Sequence, residues 1–279
     1  MHNKNKRIYS NMWSETNNFA TLSPGSRWLF SMLSDILDKV DNDSVKSILD
    51  VGCGDGVKTN YLCNHFSTNT IGIDFTQSGI DVAQQKFDET PNLNFICVDA
   101  SEPHIYNEKF DMISCFEVLE HVDDWQTLVD QFANTSNRWI LLSFPAGRMR
   151  KYEHQIGHVR NFRKGEIERY LMKHGFSPVE VFYAGFPFLN PITKGLLEIF
   201  YGIKAIISKN SDNAQEKIDA SKESHDETNG GSIVSTLSKM YAKPTFFVRM
   251  YSNVFYFLYR HCSSKYHFGG QFLGLFEKP

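Results

Sequence analysis

The chain has 279 residues, of which 41% are hydrophobic, and its formal net charge at neutral pH is -3. This length and composition suit one large globular domain, or a core domain with a smaller addition. A slightly acidic chain has no general attraction for phosphate backbones, so DNA is not expected as a partner. RNA binding would need a local basic patch.

The first 44 residues are predicted to form a helical cap segment. Three aromatic residues, Tyr9, Trp13 and Phe19, precede a stretch at 28–37 whose apolar residues recur at helical spacing. Aromatic side chains in such a segment either close over a ligand or pack against a sheet, and both roles stay open. The basic residues before Tyr9 are not followed by an apolar run of signal length, so we expect a cytoplasmic protein.

An apolar strand predicted at 45–51 leads into a glycine turn, Gly52-Cys53-Gly54-Asp55-Gly56. Glycines at alternate positions let the backbone bend sharply and approach a bound molecule without Cβ clashes. Asp50 adds a carboxylate at the carboxyl end of the strand. Dinucleotide folds use the different spacing G-x-G-x-x-G, which disfavours a dinucleotide oxidoreductase. The turn therefore predicts a nucleotide-like ligand without a pyrophosphate.

Two further predicted strands also end in an acid. The strand at 69–75 ends in Asp74 and Phe75, about 20 residues after the first acid, where nucleotide sites hold ribose hydroxyls. The strand at 93–99 ends in Asp99. Either acid alone is also explained as a helix cap or a turn residue. Their order at the ends of successive strands favours one shared ligand site.

The rest of the chain continues the alternation of strand and helix. Further strands are predicted at 110–116, 138–144, 178–183 and 272–276, and helices at 57–66, 78–88, 123–136 and 166–176. This alternation predicts an α/β fold with a doubly wound, mostly parallel, seven-stranded sheet that is covered by helices on both faces. The core domain is expected at 45–189, with the last core strand in 268–279.

The segment 190–267 is predicted to be a helical lid or insertion before the last strand. A polar tract near 208–232 cannot bury enough apolar surface to order itself, which predicts a flexible linker. The aromatic-rich stretch 246–260 is shorter than the roughly 20 apolar residues of a bilayer span, so no transmembrane segment is expected. An apolar substrate pocket, a homodimer interface and a membrane-surface contact stay open as its role.

The glycine turn, the two later strand-end acids and the run at 110–122 resemble, in this order, the motifs of class I S-adenosylmethionine (SAM)-dependent methyltransferases. The resemblance implies a Rossmann-like fold and SAM as the cofactor. The cofactor-binding residues that it implies are Asp50, Gly52, Gly54, Asp74, Phe75, Asp99, Ala100, Phe116 and Glu117. In this family an amino-terminal segment often closes over the cofactor, a role open to Tyr9 and Trp13.

The run Glu117-Val118-Leu119-Glu120-His121 is similar to a run of the ubiquinone-type O-methyltransferases and the small-RNA 2′-O-methyltransferases. In those families carboxylates and imidazoles bind a divalent metal beside the acceptor oxygen. In a helix Glu117, Glu120 and His121 would share one face, and His154 or His158 would supply a further ligand. No metal is favoured, however, since the run also occurs in methyltransferases without one. Glu117 then borders the cofactor, and His121 acts in catalysis or orients neighbouring loops.

The segment at 144–163 follows the fifth strand, at the sheet edge where acceptors enter. Its Gly-His-Val-Arg portion resembles a feature of small-molecule methyltransferases, which implies His158 as a base and Arg160 as an anchor. Together with Arg148 and Tyr152, Arg160 is expected to bind an acceptor that is anionic or partly apolar. A solvated basic loop explains the same residues, so both interpretations stay open.

The sequence therefore predicts a SAM-dependent methyltransferase that acts on a hydroxyl oxygen of a small metabolite, a sugar or a lipid-linked precursor. The sulfonium is already a strong electrophile, so the protein must position the reactants and remove a proton, with His121 and His158 as catalytic residues. An RNA-modifying methyltransferase would need a basic face with exposed aromatics. A noncatalytic scaffold with this fold would bind the cofactor weakly or not at all.

Overall fold

The structure is a computed structural model of the chain. It describes residues 9–10, 23–150, 153–154, 156–185, 245–264 and 269–279. The expectations for Trp13, Phe19, Tyr152, the linker at 208–232 and the lid before residue 245 lie outside these residues.

One mixed sheet organises the described residues, with strand order β3-β2-β1-β4-β5-β8-β6-β7. The strands are β1 Ser47–Val51, β2 Asn69–Asp74, β3 Leu93–Cys97, β4 Phe110–Phe116, β5 Ser136–Pro145, β6 Ser177–Gly185, β7 Ser263–Ser264 and β8 Gly269–Glu277. Strands β1 to β5 pair in parallel, whereas β8 runs antiparallel between β5 and β6. The predicted α/β fold is confirmed, and the two-residue strand β7 is added at the edge.

Helices connect the strands and cover the sheet. They are α1 Pro24–Leu37, α2 Val57–Phe66, α3 Gln77–Phe87, α4 Trp125–Thr135, α5 Glu166–Lys173 and α6 Phe246–His261. Helix α1 begins four residues before the predicted start because Ser23 caps it, its hydroxyl accepting a hydrogen bond from the Ser26 amide at 3.3 Å. Pro24 follows at the first helical position, where the missing N–H costs no hydrogen bond.

The core lies in two layers, because successive side chains of a strand point to opposite faces of the sheet. On one face α1 packs its buried Trp28 and Ile36 against a layer that includes Leu141 of β5. On the other face α4 packs Phe132 against a layer that includes Ile140. Each such side chain contributes about 1.5–3 kcal/mol when fully buried, so both layers fix the sheet on which the site is built.

Helix α6 packs on α1 through polar and cation–π contacts. Arg27 donates to the Asn253 side chain at 2.8 Å, and its guanidinium lies 4.4 Å from the Tyr256 ring centroid. Near the other end of α1, Arg260 and Asp35 form an ion pair at 2.8 Å. The opposite face of α6 is exposed and apolar. No helix in the described ranges is long and apolar enough to cross a membrane.

Candidate active site

The glycine turn after β1 adopts backbone conformations that only glycine takes without strain. Gly52, Gly54 and Gly56 have φ angles of 77°, 54° and 74°. A Cβ on Gly52 would lie 2.1 Å from Val118 Cγ2, and one on Gly56 would lie 2.6 Å from the Phe95 ring. Side chains at Gly52 and Gly56 would therefore clash with residues that pack against the turn.

Asp50 holds this turn in place. Its two carboxylate oxygens accept hydrogen bonds from the Thr59 and Ser114 hydroxyls, both at 2.6 Å, and the residue is almost fully buried. Burial raises the pKa of Asp50, while the two hydroxyls lower it. The carboxylate ties β1 to α2 and β4, so any contribution to cofactor binding comes through the turn that it supports.

Asp74 joins the glycine turn to the end of β2. Its carboxylate accepts from the Gly54 amide at 3.0 Å, and from the Thr76 amide and hydroxyl at 2.8 and 2.6 Å. Burial raises the pKa of Asp74, and these hydrogen bonds oppose that effect. Asp99, which follows β3, accepts from the amide and hydroxyl of Ser101. All three predicted acids thus lie at the carboxyl edge of the parallel strands.

Glu117 and Phe116, at the end of β4, differ from expectation. Glu117 has a φ of 60°, so the residue is not helical, and its carboxylate accepts from Ser143 Oγ and Gln271 Nε2, both at 2.7 Å. The Phe116 ring is buried in the core layer that contains α1. The prediction that Glu117 shares a helical face with Glu120 and His121 is therefore wrong, and the Phe116 side chain is a core residue.

Glu120 lies in a short 3-10 helix, Leu119–His121, and is 1% exposed. Its Oε2 atom is buried without a hydrogen-bond partner among the described residues, and Oε1 lies 3.8 Å from His121 Nε2. Burial is the main cause that raises the pKa of Glu120 well above its usual value, and the neighbouring charge of Glu117 adds to it. This carboxyl is therefore held in a site that favours its neutral form.

The loop after β5 folds back onto this short helix and brings the second histidine to the first. The amides of Val159 and Arg160 donate to the Glu120 carbonyl at 2.9 and 3.4 Å. As a result, the rings of His158 and His121 meet edge to face, with centroids 4.7 Å apart. The two predicted catalytic histidines, 37 positions apart in the chain, are adjacent in the structure.

His121 is held in one tautomer. Its Nδ1 lies 3.0 Å from the Gly157 carbonyl, which can only accept, so Nδ1 carries the proton. Nε2 is then an acceptor, and the Tyr9 hydroxyl donates to it at 2.7 Å. Burial and the neighbouring His158 lower the pKa of His121 to about 3, which keeps the ring neutral.

Tyr9 connects the histidines to the cofactor side of the site. Its ring packs edge to face on Phe75 and on His121, with centroid distances of 6.4 and 5.2 Å. The next residue, Ser10, accepts a hydrogen bond from Ser78 Oγ at 3.3 Å. Tyr9 contacts Phe75 and His121, whereas α1 packs on the sheet, and closure of Tyr9 over a ligand stays a prediction. The contact of Tyr9 with His121 could not be predicted from the sequence.

The two arginines expected to bind the acceptor differ in their surroundings. Arg148 is exposed, and Arg160 donates through Nη2 to the Asp123 carbonyl at 2.8 Å. Arg160 Nε is buried and has no hydrogen-bond partner in the described part of the chain. His154 is exposed and lies outside the histidine pair. Arg160 thus remains near the site, but Arg148 lies on the surface.

The alternative metal site changes its composition. Ligand atoms of Glu120, His121 and His158 lie within 4.8 Å of one another, so three of the predicted ligands meet and Glu117 is not among them. One carboxylate and two imidazoles form a donor set that suits a divalent transition metal. With Tyr9 in place, however, both ring nitrogens of His121 are already engaged. The cluster therefore does not fit a metal in this conformation.

The glycine turn, the acids at three successive strand ends and the sheet order define a class I SAM-dependent methyltransferase fold. The chain belongs to the family described as Methyltransferase domain, which matches residues 26–181.

Curated relatives carry the name ubiquinone biosynthesis O-methyltransferase. The protein of Coxiella burnetii (strain Dugway 5J108-111) is 38% identical over 89 residues, which are 32% of this chain and 38% of the relative. That of Hydrogenovibrio crunogenus is 24% identical over 145 residues, 50% of this chain and 58% of the relative. The chain thus spans between about two fifths and three fifths of the length of these two relatives.

Solved structures share the fold at low sequence identity. Coclaurine N-methyltransferase bound to N-methylheliamine and S-adenosylhomocysteine has a TM-score of 0.53 at 14% identity, over 89% of this chain and 72% of its own. The [4+2]-cyclase SpnF also has a TM-score of 0.53, at 15% identity, over 91% of this chain and 81% of its own. The fold therefore does not by itself select the reaction.

Proposed function

We propose that the protein transfers the methyl group of SAM to a hydroxyl oxygen of a small molecule. The cofactor would lie along the glycine turn, with its ribose at Asp74 and its adenine near Asp99 and Ala100. The acceptor would lie between the cofactor and His121. A cytoplasmic location stays a prediction from the sequence.

One observation carries this proposal. The Tyr9 ring contacts both Phe75, directly after the ribose-side acid, and His121. A single phenol ring therefore spans the distance from the cofactor side of the site to the imidazole. A base at that distance can reach a hydroxyl that is itself in line with a bound sulfonium.

His121 is the residue best placed to take the proton of the acceptor. Its Nε2 lone pair faces the cofactor side, and the Gly157 carbonyl fixes the tautomer that exposes this lone pair. A pKa of about 3 makes His121 a weak base in the resting site. The acceptor oxygen becomes strongly acidic as its bond to carbon forms, so a weak base that is neutral at every physiological pH suffices. His158 packs on the ring and limits its rotation.

The acceptor class is tested with pairs of compounds that differ only in the nucleophile. Purified protein is incubated with methyl-labelled SAM and with phenols, alcohols and sugars, each next to its amine counterpart, and labelled product is measured by mass spectrometry. The proposal predicts transfer to hydroxyl compounds in preference to the matched amines. Transfer to the amines alone would contradict it and indicate an N-methyltransferase.

A metal is not part of the proposal, because the Gly157 carbonyl holds Nδ1 of His121 and the proposal assigns Nε2 to the acceptor hydroxyl. The test is to compare turnover before and after treatment with a chelator, with metal analysis of the same sample. Unchanged turnover in metal-free protein is expected. A loss that is restored by one divalent ion would assign the ion to Glu120, His121 and His158.

A further inference from the structure

We propose that the Tyr9 hydroxyl occupies the position of the acceptor hydroxyl, so that an acceptor binds by displacing the Tyr9 side chain from His121. This inference rests on the proposed methyl transfer and deepens it by locating the acceptor oxygen. It also assigns Tyr9 a role as a stand-in for the acceptor.

The hydrogen-bonding capacity of His121 limits which groups can bind beside its ring. Its Nδ1 is committed to the Gly157 carbonyl, so Nε2 is the one ring atom that can accept a proton from a substrate. The Tyr9 hydroxyl lies 2.7 Å from that atom and is itself a neutral hydroxyl donor. An acceptor hydroxyl that His121 deprotonates must form the same hydrogen bond, and the two hydroxyls cannot share one lone pair.

The Tyr9 ring lies where the proposed function expects the acceptor. It packs edge to face between Phe75 and the His121 imidazole. An oxygen in line with the methyl group of SAM must lie between the cofactor and its base. The phenol of Tyr9 fills this space.

The hydrogen bonds that hold Tyr9 and Ser10 in place can be replaced. The Tyr9 hydroxyl donates one hydrogen bond to His121, and an acceptor hydroxyl would form an equivalent bond. Ser10 accepts from Ser78 Oγ at 3.3 Å, which is long for an O–H···O bond. The Tyr9 phenol is a neutral hydrogen-bond donor, so it can leave the His121 ring without separating charge.

The step that follows displacement balances without a further reactant. The acceptor oxygen forms a bond to the methyl carbon of SAM as the carbon–sulfur bond breaks. The bonding electron pair remains on sulfur, which gives S-adenosylhomocysteine. The hydroxyl proton passes to Nε2 of His121.

The test uses free p-cresol, which is the tyrosine side chain as a separate molecule. The Tyr9→Ala variant of the full chain removes the phenol and leaves space for p-cresol beside His121. With labelled SAM, this variant should convert p-cresol to 4-methylanisole about tenfold or more faster than the wild-type protein, because a positioned hydroxyl replaces the side chain. The Tyr9→Phe variant keeps the ring but loses the competing hydroxyl, so its rate should lie between those of the wild-type protein and Tyr9→Ala.

A second measurement addresses the hydrogen bond directly. In the nitrogen-15 spectrum of the histidine rings, the Nε2 signal of His121 should move downfield in Tyr9→Phe, since that atom loses its donor. Adding p-cresol to Tyr9→Ala should return the signal toward the wild-type position. The exposed His154 serves as the internal control whose signals do not change.

The outcomes separate this inference from the proposed function. Calorimetric SAM binding by Tyr9→Ala without formation of 4-methylanisole would overturn the inference and leave the methyltransferase proposal intact. An unchanged Nε2 signal in Tyr9→Phe would overturn it as well. Failure of the folded wild-type protein to bind SAM would overturn the proposed function and this inference with it.

Discussion

The cofactor half and the acceptor half of the site are built in different ways. The cofactor half is local, since the glycine turn and Asp50 lie within seven consecutive residues and Asp74 joins them through the Gly54 amide. The acceptor half is assembled from distant segments, with Tyr9 and His121 separated by 112 positions. We therefore expect binding of SAM to depend on one contiguous turn, and catalysis to depend on segments that are distant in the chain.

The largest expected effect is on the acceptor half. His121→Ala should lower kcat about 10²- to 10⁴-fold, because it removes the group that takes the acceptor proton. SAM affinity should stay unchanged, since the side chain does not contact the glycine turn. Turnover is measured with an acceptor identified by the paired screen. The exposed His154→Ala is the matched control, and an equal loss in both variants would contradict the assignment.

The second effect belongs to the cofactor half. Gly52→Ala should weaken SAM binding by about tenfold or more and lower the free energy of unfolding by about 2–4 kcal/mol, because its Cβ would meet Val118 at 2.1 Å. Gly147→Ala is the control, since Gly147 also has a positive φ of 87° but no atom near its Cβ position. It should lower stability by about 1 kcal/mol and leave SAM affinity unchanged. Similar losses of affinity in both would show that backbone strain, not the turn, is responsible.

The third variant tests whether the hydrogen bonds of Asp74, which join the end of β2 to the glycine turn, are needed for SAM binding. Asp74→Asn should weaken SAM binding by about tenfold, because a neutral amide replaces the carboxylate that accepts from Gly54 and Thr76. Calorimetry measures the change. Asp111→Asn is the comparison, since Asp111 accepts from the Lys46 amide at the opposite end of the sheet. If only Asp111→Asn lost affinity for SAM, the cofactor would have to lie at the amino ends of the parallel strands, which would contradict the proposed site.

The smallest effect concerns pH. The pKa of His121 is lowered to about 3, so the ring stays neutral and able to accept a proton as pH rises above that value. Between pH 5 and 8 the kcat should therefore show no loss caused by protonation of His121. A titration of His121 with a midpoint near the ordinary histidine pKa, seen by NMR together with an acid limb in kcat, would contradict the buried environment described here.

The sequence located the glycine turn and the strand-end acids correctly for a physical reason. A strand, a glycine turn and an acid are contiguous, so their spacing alone specifies how they meet. The mostly parallel α/β sheet followed from the same alternation, and the structure confirms it for β1 to β5. The two-residue strand β7 was missed because so short a pairing has no periodic signal.

The acceptor half could be predicted only in part. Both histidines were identified, but Glu117 was expected on a helical face, and its left-handed backbone turns it toward Ser143 and Gln271. The spacing of residues within one segment cannot indicate a hydrogen-bond partner that lies on a distant strand, such as Gln271 on β8. For Tyr9 two roles stayed open, because its contact with His121 joins residues that are 112 positions apart in the chain.

The most direct test of the account is calorimetric titration of the folded protein with SAM and S-adenosylhomocysteine, with NAD as the control ligand. The account predicts saturable binding of both sulfur ligands and none of NAD, because the turn lacks the spacing that holds a pyrophosphate. Absence of binding to either sulfur ligand in folded protein would contradict the central claim. It would indicate a noncatalytic protein that has kept this fold.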